Sequence, residues 1–200
     1  MPEEGGPSDR RADNIRAVEE AAALGAPALV LVCGPAPTRD LGGARQAIAE
    51  SIAELAAVAD GSGVRLAVEA MHPMYCADRS AVVTLDHALD LARAAGAGTG
   101  VIVDSYHVWW DPRLELLLEN AAGSVLGFHV ADWLVETPDM LNGRGMIGDG
   151  VIDFRRLREA VDGAGYTGPI EVEIFNPDIW ALDGDEALAL ILDRCEKHLF

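Results

Sequence analysis

Four short apolar runs along this chain each end in a side chain of the kind that binds metal ions. The runs are residues 65–69, 101–104, 125–129 and 170–173, and they end in Glu69, Asp104, His129 and Glu173. Each run is typical of a short buried strand and follows a helical stretch. A charge at the end of a buried parallel strand is unfavourable unless a partner neutralises it. Because parallel strands in a βα series end at the same edge of a sheet, we expect these four side chains to meet around one divalent cation.

Helical and strand-like segments alternate along the chain, which predicts an α/β fold with a parallel sheet. We predict strands at residues 28–33, 65–69, 100–104, 124–129 and 170–173. We predict helices at residues 13–24, 44–60, 112–122 and 185–198, together with two helices that Thr84 and Asp153 cap. The last helix is expected to turn four apolar residues to the core: Leu188, Ile191, Leu192 and Cys195.

Two architectures are compatible with this alternation. A doubly wound sheet would have a glycine-rich phosphate loop after its first strand, and residues 33–37 lack the required spacing. A (β/α)8 barrel of the TIM type explains why chemistry-bearing residues follow several strands. The sequence contains only five strand signals, so we predict an incomplete barrel that lacks about three N-terminal βα units. Residues 1–13 are predicted to be a polar, disordered segment, and residues 14–200 the barrel domain.

The acidic composition limits the partners of this chain. The formal charge is −18 at pH 7 and the pI is about 4.4. Such a surface repels phosphate backbones and anionic lipids, so we expect no nucleic acid and no membrane as partner.

The N-terminus lacks the apolar core of a signal peptide, and no apolar run reaches the ~20 residues of a membrane span. Three cysteines without metal-type spacing favour a reduced, cytoplasmic location.

Five local motifs resemble those of one known family, the xylose isomerase-like TIM barrels, which comprise sugar-phosphate isomerases and epimerases and share their fold with endonuclease IV. The motifs are Val68-Glu69, Val103-Asp104-Ser105-Tyr106-His107, Phe128-His129-Val130-Ala131-Asp132-Trp133, Arg144-Gly145-Met146-Ile147-Gly148-Asp149-Gly150 and Val172-Glu173-Ile174-Phe175. The resemblance covers nearly the whole chain from Asn14 onward. It implies that the four predicted ligands lie on barrel strands 5 to 8, and family members carry strands 1 to 3 ahead of the matched part.

Three carboxylates and one imidazole form a hard, mostly oxygen donor set. This set favours Mn²⁺, Mg²⁺ or Co²⁺, and Zn²⁺ also fits it. A cation there would bind an α-hydroxy ketone or aldehyde and stabilise the enediolate that forms when the neighbouring carbon loses a proton. Glu69 and Glu173 come from the first and last of the four strands and would be the catalytic acid and base, as the resemblance also implies. For each acid alone, the alternative is a strand-end charge that faces solvent.

Three further residues are predicted to bind the substrate. The resemblance implies that His107 and Arg144 contact substrate oxygens, whereas the alternatives are a loop histidine bonded to backbone and a solvated arginine. His72 follows Glu69 by three residues and either contacts the ligand or has no role in binding it.

Glu171 shares the strand face of Glu173 because side chains alternate along a strand. We assign the metal to Glu173 and expect Glu171 to lie deeper in the barrel.

The predicted function is a metal-dependent isomerase or epimerase of a small sugar or polyol, in carbohydrate metabolism. A lyase that dehydrates a keto-polyol through the same enolate is the main alternative, and an inactive barrel fragment is another. An abasic-site nuclease is disfavoured because that chemistry needs more histidine ligands and a basic surface than this chain supplies. Because five strands leave two open sheet edges, we also expect a homo-oligomer.

Overall fold

Helices and strands alternate along the chain, as the sequence predicts. The computed structural model describes residues 7–36, 38–137 and 139–200, with side chains from residue 10 onward. The strands are β1 (Ala28–Leu31), β2 (Arg65–Glu69), β3 (Thr99–Asp104), β4 (Val125–Val130) and β5 (Ile170–Val172). The helices are α1 (Pro7–Leu24), α2 (Leu41–Ala59), α3 (Leu85–Ala95), α4 (Ser105–Val108), α5 (Leu114–Glu119), α6 (Phe154–Gly163), α7 (Pro177–Trp180) and α8 (Gly184–His198). A short 3₁₀ helix covers Pro73–Tyr75.

The five strands follow one another in the sheet in the same order as in the chain, β1-β2-β3-β4-β5. The β1–β2 and β4–β5 pairs are parallel. Since parallel neighbours need a crossover connection, each strand is followed by helical structure before the next begins. This order is that of a (β/α)8 barrel. The chain therefore has an α/β fold of the TIM-barrel type, with five strands among its described residues, and the predicted incomplete barrel is confirmed.

The residues divide into two compact units, Met1–Val101 and Ile102–Phe200. In the first unit, β1 pairs with β2 from Ala28↔Arg65 to Leu31↔Val68. The α2 helix buries four side chains at helical spacing: Ile48, Ile52, Leu55 and Ala59. Part of this stripe joins one side chain of α1 and one of β2 in a buried apolar cluster of Val18, Leu55, Ala59 and Leu66. The helix predicted at residues 44–60 is thus confirmed, and it covers the β1–β2 pair.

In the second unit, β4 pairs with β5 from Phe128↔Ile170 to Val130↔Val172. The α6 helix is amphipathic and buries Phe154, Leu157 and Val161. Its predicted cap is confirmed, because the Asp153 side chain accepts a hydrogen bond from the Arg156 N–H. These elements place the C-terminal ends of the described strands of this unit at one edge, where the candidate site lies.

The N-terminal helix is longer than predicted. We expected disorder through residue 13, yet α1 begins at Pro7. Proline is favoured in the first turn of a helix because its missing N–H needs no partner there and its φ suits a helix. No glycine or further proline interrupts residues 8–24, so the helix continues to Gly25, where φ is +69°. Residues 1–6 of the predicted disordered segment lie outside the described residues.

The prediction for the apolar face of α8 was wrong in part. Leu188 and Leu192 are largely exposed, and Ile191 and Cys195 are only half-buried. The helical period correctly identified an apolar stripe on α8. The period alone does not predict whether another element covers that stripe. Within the described part of the chain, no helix combines the length and the apolar composition of a membrane span.

Candidate functional site

Asp104 ends β3 and begins the short helix α4 at the same time. Its Oδ1 accepts a hydrogen bond from the Tyr106 N–H at 2.7 Å, so the carboxylate caps α4. Ser105 fixes this turn to the end of β4, because its Oγ donates to the Ala131 carbonyl at 2.8 Å and accepts from the Ala131 N–H at 3.0 Å. The second oxygen, Asp104 Oδ2, accepts no hydrogen bond from the described residues. Asp104 is 1% exposed, so this oxygen is buried as well.

Three of the four predicted ligands belong to the second unit, and the structure brings them together. Asp104, His129 and Glu173 each offer a ligand atom, and these atoms lie within 4.8 Å of one another. His129 Nδ1 is 3.5 Å from Glu173 Oε2. Asp104 and His129 are buried, whereas the Glu173 side chain, just beyond the end of β5, is 32% exposed. The group is therefore open on the side of Glu173.

Arg144 brings a positive charge to these carboxylates. Its guanidinium Nη1 is 3.6 Å from Asp104 Oδ2 and 3.4 Å from Glu173 Oε2, and it donates a hydrogen bond to the Glu173 carbonyl at 3.1 Å. The guanidinium lies over the rings of Tyr106 and Phe175, at 4.8 Å and 4.7 Å from their centroids. Arg144 is buried, so it is not the solvated loop arginine of the alternative interpretation.

The environment moves the pKa values of the two acids in opposite directions. Burial raises the pKa of Asp104 to about 6, although the Arg144 charge opposes this shift. Burial also acts to raise the pKa of Glu173, but the neighbouring His129 and Arg144 outweigh it and lower that pKa overall. Two acids with separated pKa values in one site are typical of functional carboxylates.

The predicted substrate-binding residue His107 lies beside the same carboxylate. It is buried at the end of the first turn of α4, and its Nε2 is 3.7 Å from Asp104 Oδ2. The position follows from α4 itself, since residues three apart on a helix share a face.

Glu69 and His72 belong to the first unit. Glu69 is the last residue of β2 and is buried. Burial of the Cys33 thiol, and to a smaller extent the charge of Glu69, raise the pKa of that thiol to about 12. His72 Nδ1 accepts a hydrogen bond from the Met74 N–H at 3.3 Å and so caps the 3₁₀ helix, and burial lowers its pKa. A role of His72 in substrate binding stays a prediction.

Glu171 was predicted to lie deeper than Glu173, and this was wrong. Its side chain is 67% exposed, with Oε2 at 3.8 Å from His129 Nε2. The alternation along β5 does place both glutamates beside His129, one near each ring nitrogen. The alternation does not predict how deeply each side chain is buried, because burial depends on the elements that cover the strand.

Sequence reasoning did not assign a role to Tyr106 or Phe175. Each lies two residues after a predicted ligand, Asp104 and Glu173 respectively, and both rings contact the Arg144 guanidinium. That shared offset is the signal that could have identified them. Trp133 adds a further aromatic face, because its ring centroid is 4.8 Å from that of Tyr106.

The residues of the second unit fit a divalent cation. Asp104 Oδ2 is a buried carboxylate oxygen without a hydrogen-bond donor among the described residues, and such an atom is unfavourable unless a cation neutralises it. His129 and Glu173 add one imidazole and a second carboxylate, and the ligand atoms of the three residues lie within 4.8 Å of one another. This buried Glu/Asp/His group supports a divalent metal and does not determine which one.

Comparison with known proteins identifies one family model and two curated relatives that match this chain. The family model described as "Xylose isomerase-like TIM barrel" matches residues 2–195. Inosose isomerase from Bacillus velezensis is 26% identical over 160 residues, which are 76% of this chain and 54% of that protein. 3-Dehydroshikimate dehydratase from Pseudomonas aeruginosa is 28% identical over 190 residues, 86% of this chain and 28% of that protein. The chain thus spans about half the length of the first relative and about a quarter of the second.

Two solved structures share the fold over nearly the whole chain. Protein SMc04130 from Sinorhizobium meliloti 1021 has a TM-score of 0.93 and 44% sequence identity, and the match covers 99% of this chain and 74% of that one. The IolI protein, whose structure contains a zinc atom, has a TM-score of 0.82 and 21% identity, with coverage of 100% and 72%.

Proposed function

Because this chain belongs to the xylose isomerase-like TIM barrel family, we propose that it is a divalent-metal-dependent isomerase or epimerase of a small sugar or polyol. The observation that carries the proposal is Asp104, whose buried Oδ2 has no hydrogen-bond donor among the described residues and which offers a ligand atom within 4.8 Å of those of His129 and Glu173. Inosose isomerase, at 26% identity, is a relative with such a reaction in its name.

The proposed ligands are Asp104, His129, Glu173 and Glu69. Glu69 is included because it is a buried acid at the end of β2, the strand that precedes β3 in the sheet order. Adjacent parallel strands end at one edge of a sheet, so their terminal side chains can share a cation. Mn²⁺, Mg²⁺ and Co²⁺ suit three carboxylates and one imidazole. Zn²⁺ is also compatible, and the zinc atom of the IolI structure supports it.

In the proposed reaction, a proton is transferred next to a substrate carbonyl. A bound cation would supply charge that polarises this carbonyl. Glu173 would remove the proton, because its lowered pKa keeps the carboxylate in the ionised form that can accept one. Glu69 would return a proton to the substrate carbon from the side of the substrate opposite Glu173. Arg144, His107 and His72 would hold substrate oxygens, and the exposed fraction of the Glu173 side chain leaves room for a ligand there.

The test is turnover of a panel of inososes and ketohexoses in heavy water with Mn²⁺ present. We predict that solvent deuterium appears on the product carbon next to the carbonyl, as NMR would show. Glu173→Gln should abolish the exchange, whereas Glu171→Gln is the matched control because that exposed side chain also neighbours His129. A product without solvent deuterium would indicate a hydride shift and remove the acid and base roles of Glu69 and Glu173.

A second candidate function is dehydration of a keto-polyol or related acid on the same residues. It is favoured by the 28% identity to 3-dehydroshikimate dehydratase. Removal of the same proton can be followed by loss of a hydroxyl group instead of return of the proton. Mass spectrometry of the product distinguishes the two, since dehydration lowers the mass by one water and isomerisation leaves it unchanged. Loss of water in the same panel would favour the dehydratase.

A further inference from the structure

We propose that Asp132 is a positioning residue of the candidate site: its carboxylate fixes the loop of residues 144–152 and thereby holds the Arg144 guanidinium against Asp104 and Glu173. The inference rests on the proposed function only in treating those two carboxylates as the site. Asp132 follows β4 and lies three residues after His129 in the chain.

The Asp132 carboxylate is fully buried and accepts four backbone hydrogen bonds. Oδ2 accepts from the N–H groups of Gly148 at 2.9 Å and Gly150 at 2.8 Å. Oδ1 accepts from Trp133 at 2.8 Å and Ile152 at 3.1 Å. Three of these four donors belong to residues 144–152. The loop therefore folds around one side chain, since backbone N–H groups buried without an acceptor are unfavourable.

The glycines of the loop allow this close approach. A Cβ atom at Gly150 would lie 2.5 Å from Asp132 Oδ1 and would collide with the Trp133 carbonyl. Gly148 has φ of +88°, a conformation that side-chain-bearing residues rarely adopt. The loop sequence is thus adapted to surround a carboxylate at position 132.

Backbone contacts connect this loop to Arg144. Asp132 and Gly145 exchange two backbone hydrogen bonds, at 2.9 Å and 2.8 Å. The Arg144 N–H donates to the Phe175 carbonyl at 3.2 Å, and the Asn176 side chain donates to the Arg144 carbonyl at 2.9 Å. The backbone of Arg144 is therefore held on one side by the segment around Asp132 and on the other by the segment after Glu173. Asp132 acts on the site through this backbone and not by direct contact.

The first experiment observes the Arg144 guanidinium by ¹H–¹⁵N NMR, with Arg144→Lys used to assign its Nε–H signal. Because two aromatic rings lie against the guanidinium, the signal should be displaced from those of exposed arginines and protected from exchange. Asp132→Asn keeps the size of the side chain but replaces one acceptor by a donor. We expect this variant to lose the displaced, protected signal, whereas Asp149→Asn should keep it, since Asp149 lies in the same loop and pairs with Arg194. An unchanged signal in Asp132→Asn would overturn the proposal.

The second experiment measures Mn²⁺ dissociation constants by calorimetry for the wild type, Asp132→Asn, Arg144→Met and the double variant. If Asp132 acts through Arg144, the two single variants should change the constant by a similar factor, about 10-fold, and the double variant no further. Multiplicative effects in the double variant would contradict the inference. Should Asp132→Asn fail to fold, Gly150→Ala disturbs the same loop and should give the same NMR result. The NMR readout needs neither metal nor turnover, so it stands if the proposed function fails.

Discussion

Asp104 is the residue whose surroundings are least compatible with a purely structural role. It is buried, one carboxylate oxygen caps α4, and the other accepts no hydrogen bond from the described residues. The nearest positive group, Arg144 Nη1, stays at 3.6 Å, beyond hydrogen-bond distance. A buried carboxylate that is paired only at this distance is unfavourable when ionised, and burial raises its pKa to about 6. Such a residue is typical of a site that is completed by a cation.

The raised pKa of Asp104 predicts a pH dependence for the metal-free protein. Because the folded state favours protonated Asp104, this carboxyl group contributes to the free energy of unfolding. Its contribution is fully present below pH ~4 and is lost as the pH rises through about 6. The loss is on the order of 3 kcal/mol. Asp104→Asn cannot ionise, so in EDTA it should melt at a higher temperature than the wild type at pH ~7.5, and the difference should shrink at pH ~4.5. Asp149→Asn is the control and should show no such gain.

Residues at strand ends could be predicted from the sequence, and residues placed by loops could not. The proximity of Asp104, His129 and Glu173 could be predicted because each ends an apolar run, and backbone geometry then determines where these side chains lie. The placement of Arg144 between the rings of Tyr106 and Phe175 depends on a loop that folds around Asp132. No periodicity encodes that loop, so only the resemblance to a family pointed to Arg144.

At the level of elements, the predictions succeeded where local chemistry determines a boundary. The strand at residues 65–69 has the predicted bounds, and α3 has the predicted cap at Thr84. The prediction failed for α4, which has only four residues and is initiated by the Asp104 side chain. A helix of one turn has no hydrophobic period, so it cannot be recognised from patterning.

The cap of α3 gives a prediction on stability. Thr84 Oγ1 accepts a hydrogen bond from the His87 N–H at 3.3 Å. Thr84→Ala leaves this N–H without its acceptor and should lower the free energy of unfolding by about 1 kcal/mol. Thr84→Ser retains the hydroxyl and should remain within about 0.5 kcal/mol of the wild type. Urea denaturation measures both, and equal losses in the two variants would show that the hydroxyl is not what stabilises α3.

At the scale of the whole molecule, the five strands that the structure describes form a sheet with two outer strands, β1 and β5. Val30 and Val32, in and just after β1, are partly exposed. Exposed apolar edges recruit other chains, so we predict that the protein self-associates despite its charge of −18. Light scattering on the double variant Val30→Lys, Val32→Lys should show a smaller particle than the wild type.

The control for this prediction adds the same charge elsewhere. Ala53→Lys with Ala57→Lys changes two exposed positions of α2 and should leave the association unchanged. A wild type that is monomeric at all concentrations and melts cooperatively would contradict the prediction. Equal dissociation by both double variants would assign the effect to net charge and not to the sheet edge.

The central claim, that this chain holds one divalent cation at the ends of its strands, is tested most directly by calorimetric titration with Mn²⁺. We predict one ion per chain for the wild type, an affinity lower by more than about 100-fold in Asp104→Ala and in His129→Ala, and near-wild-type binding in Glu171→Gln. Wild-type protein that binds no ion, or an Asp104→Ala variant that binds Mn²⁺ as tightly as the wild type, would contradict the account.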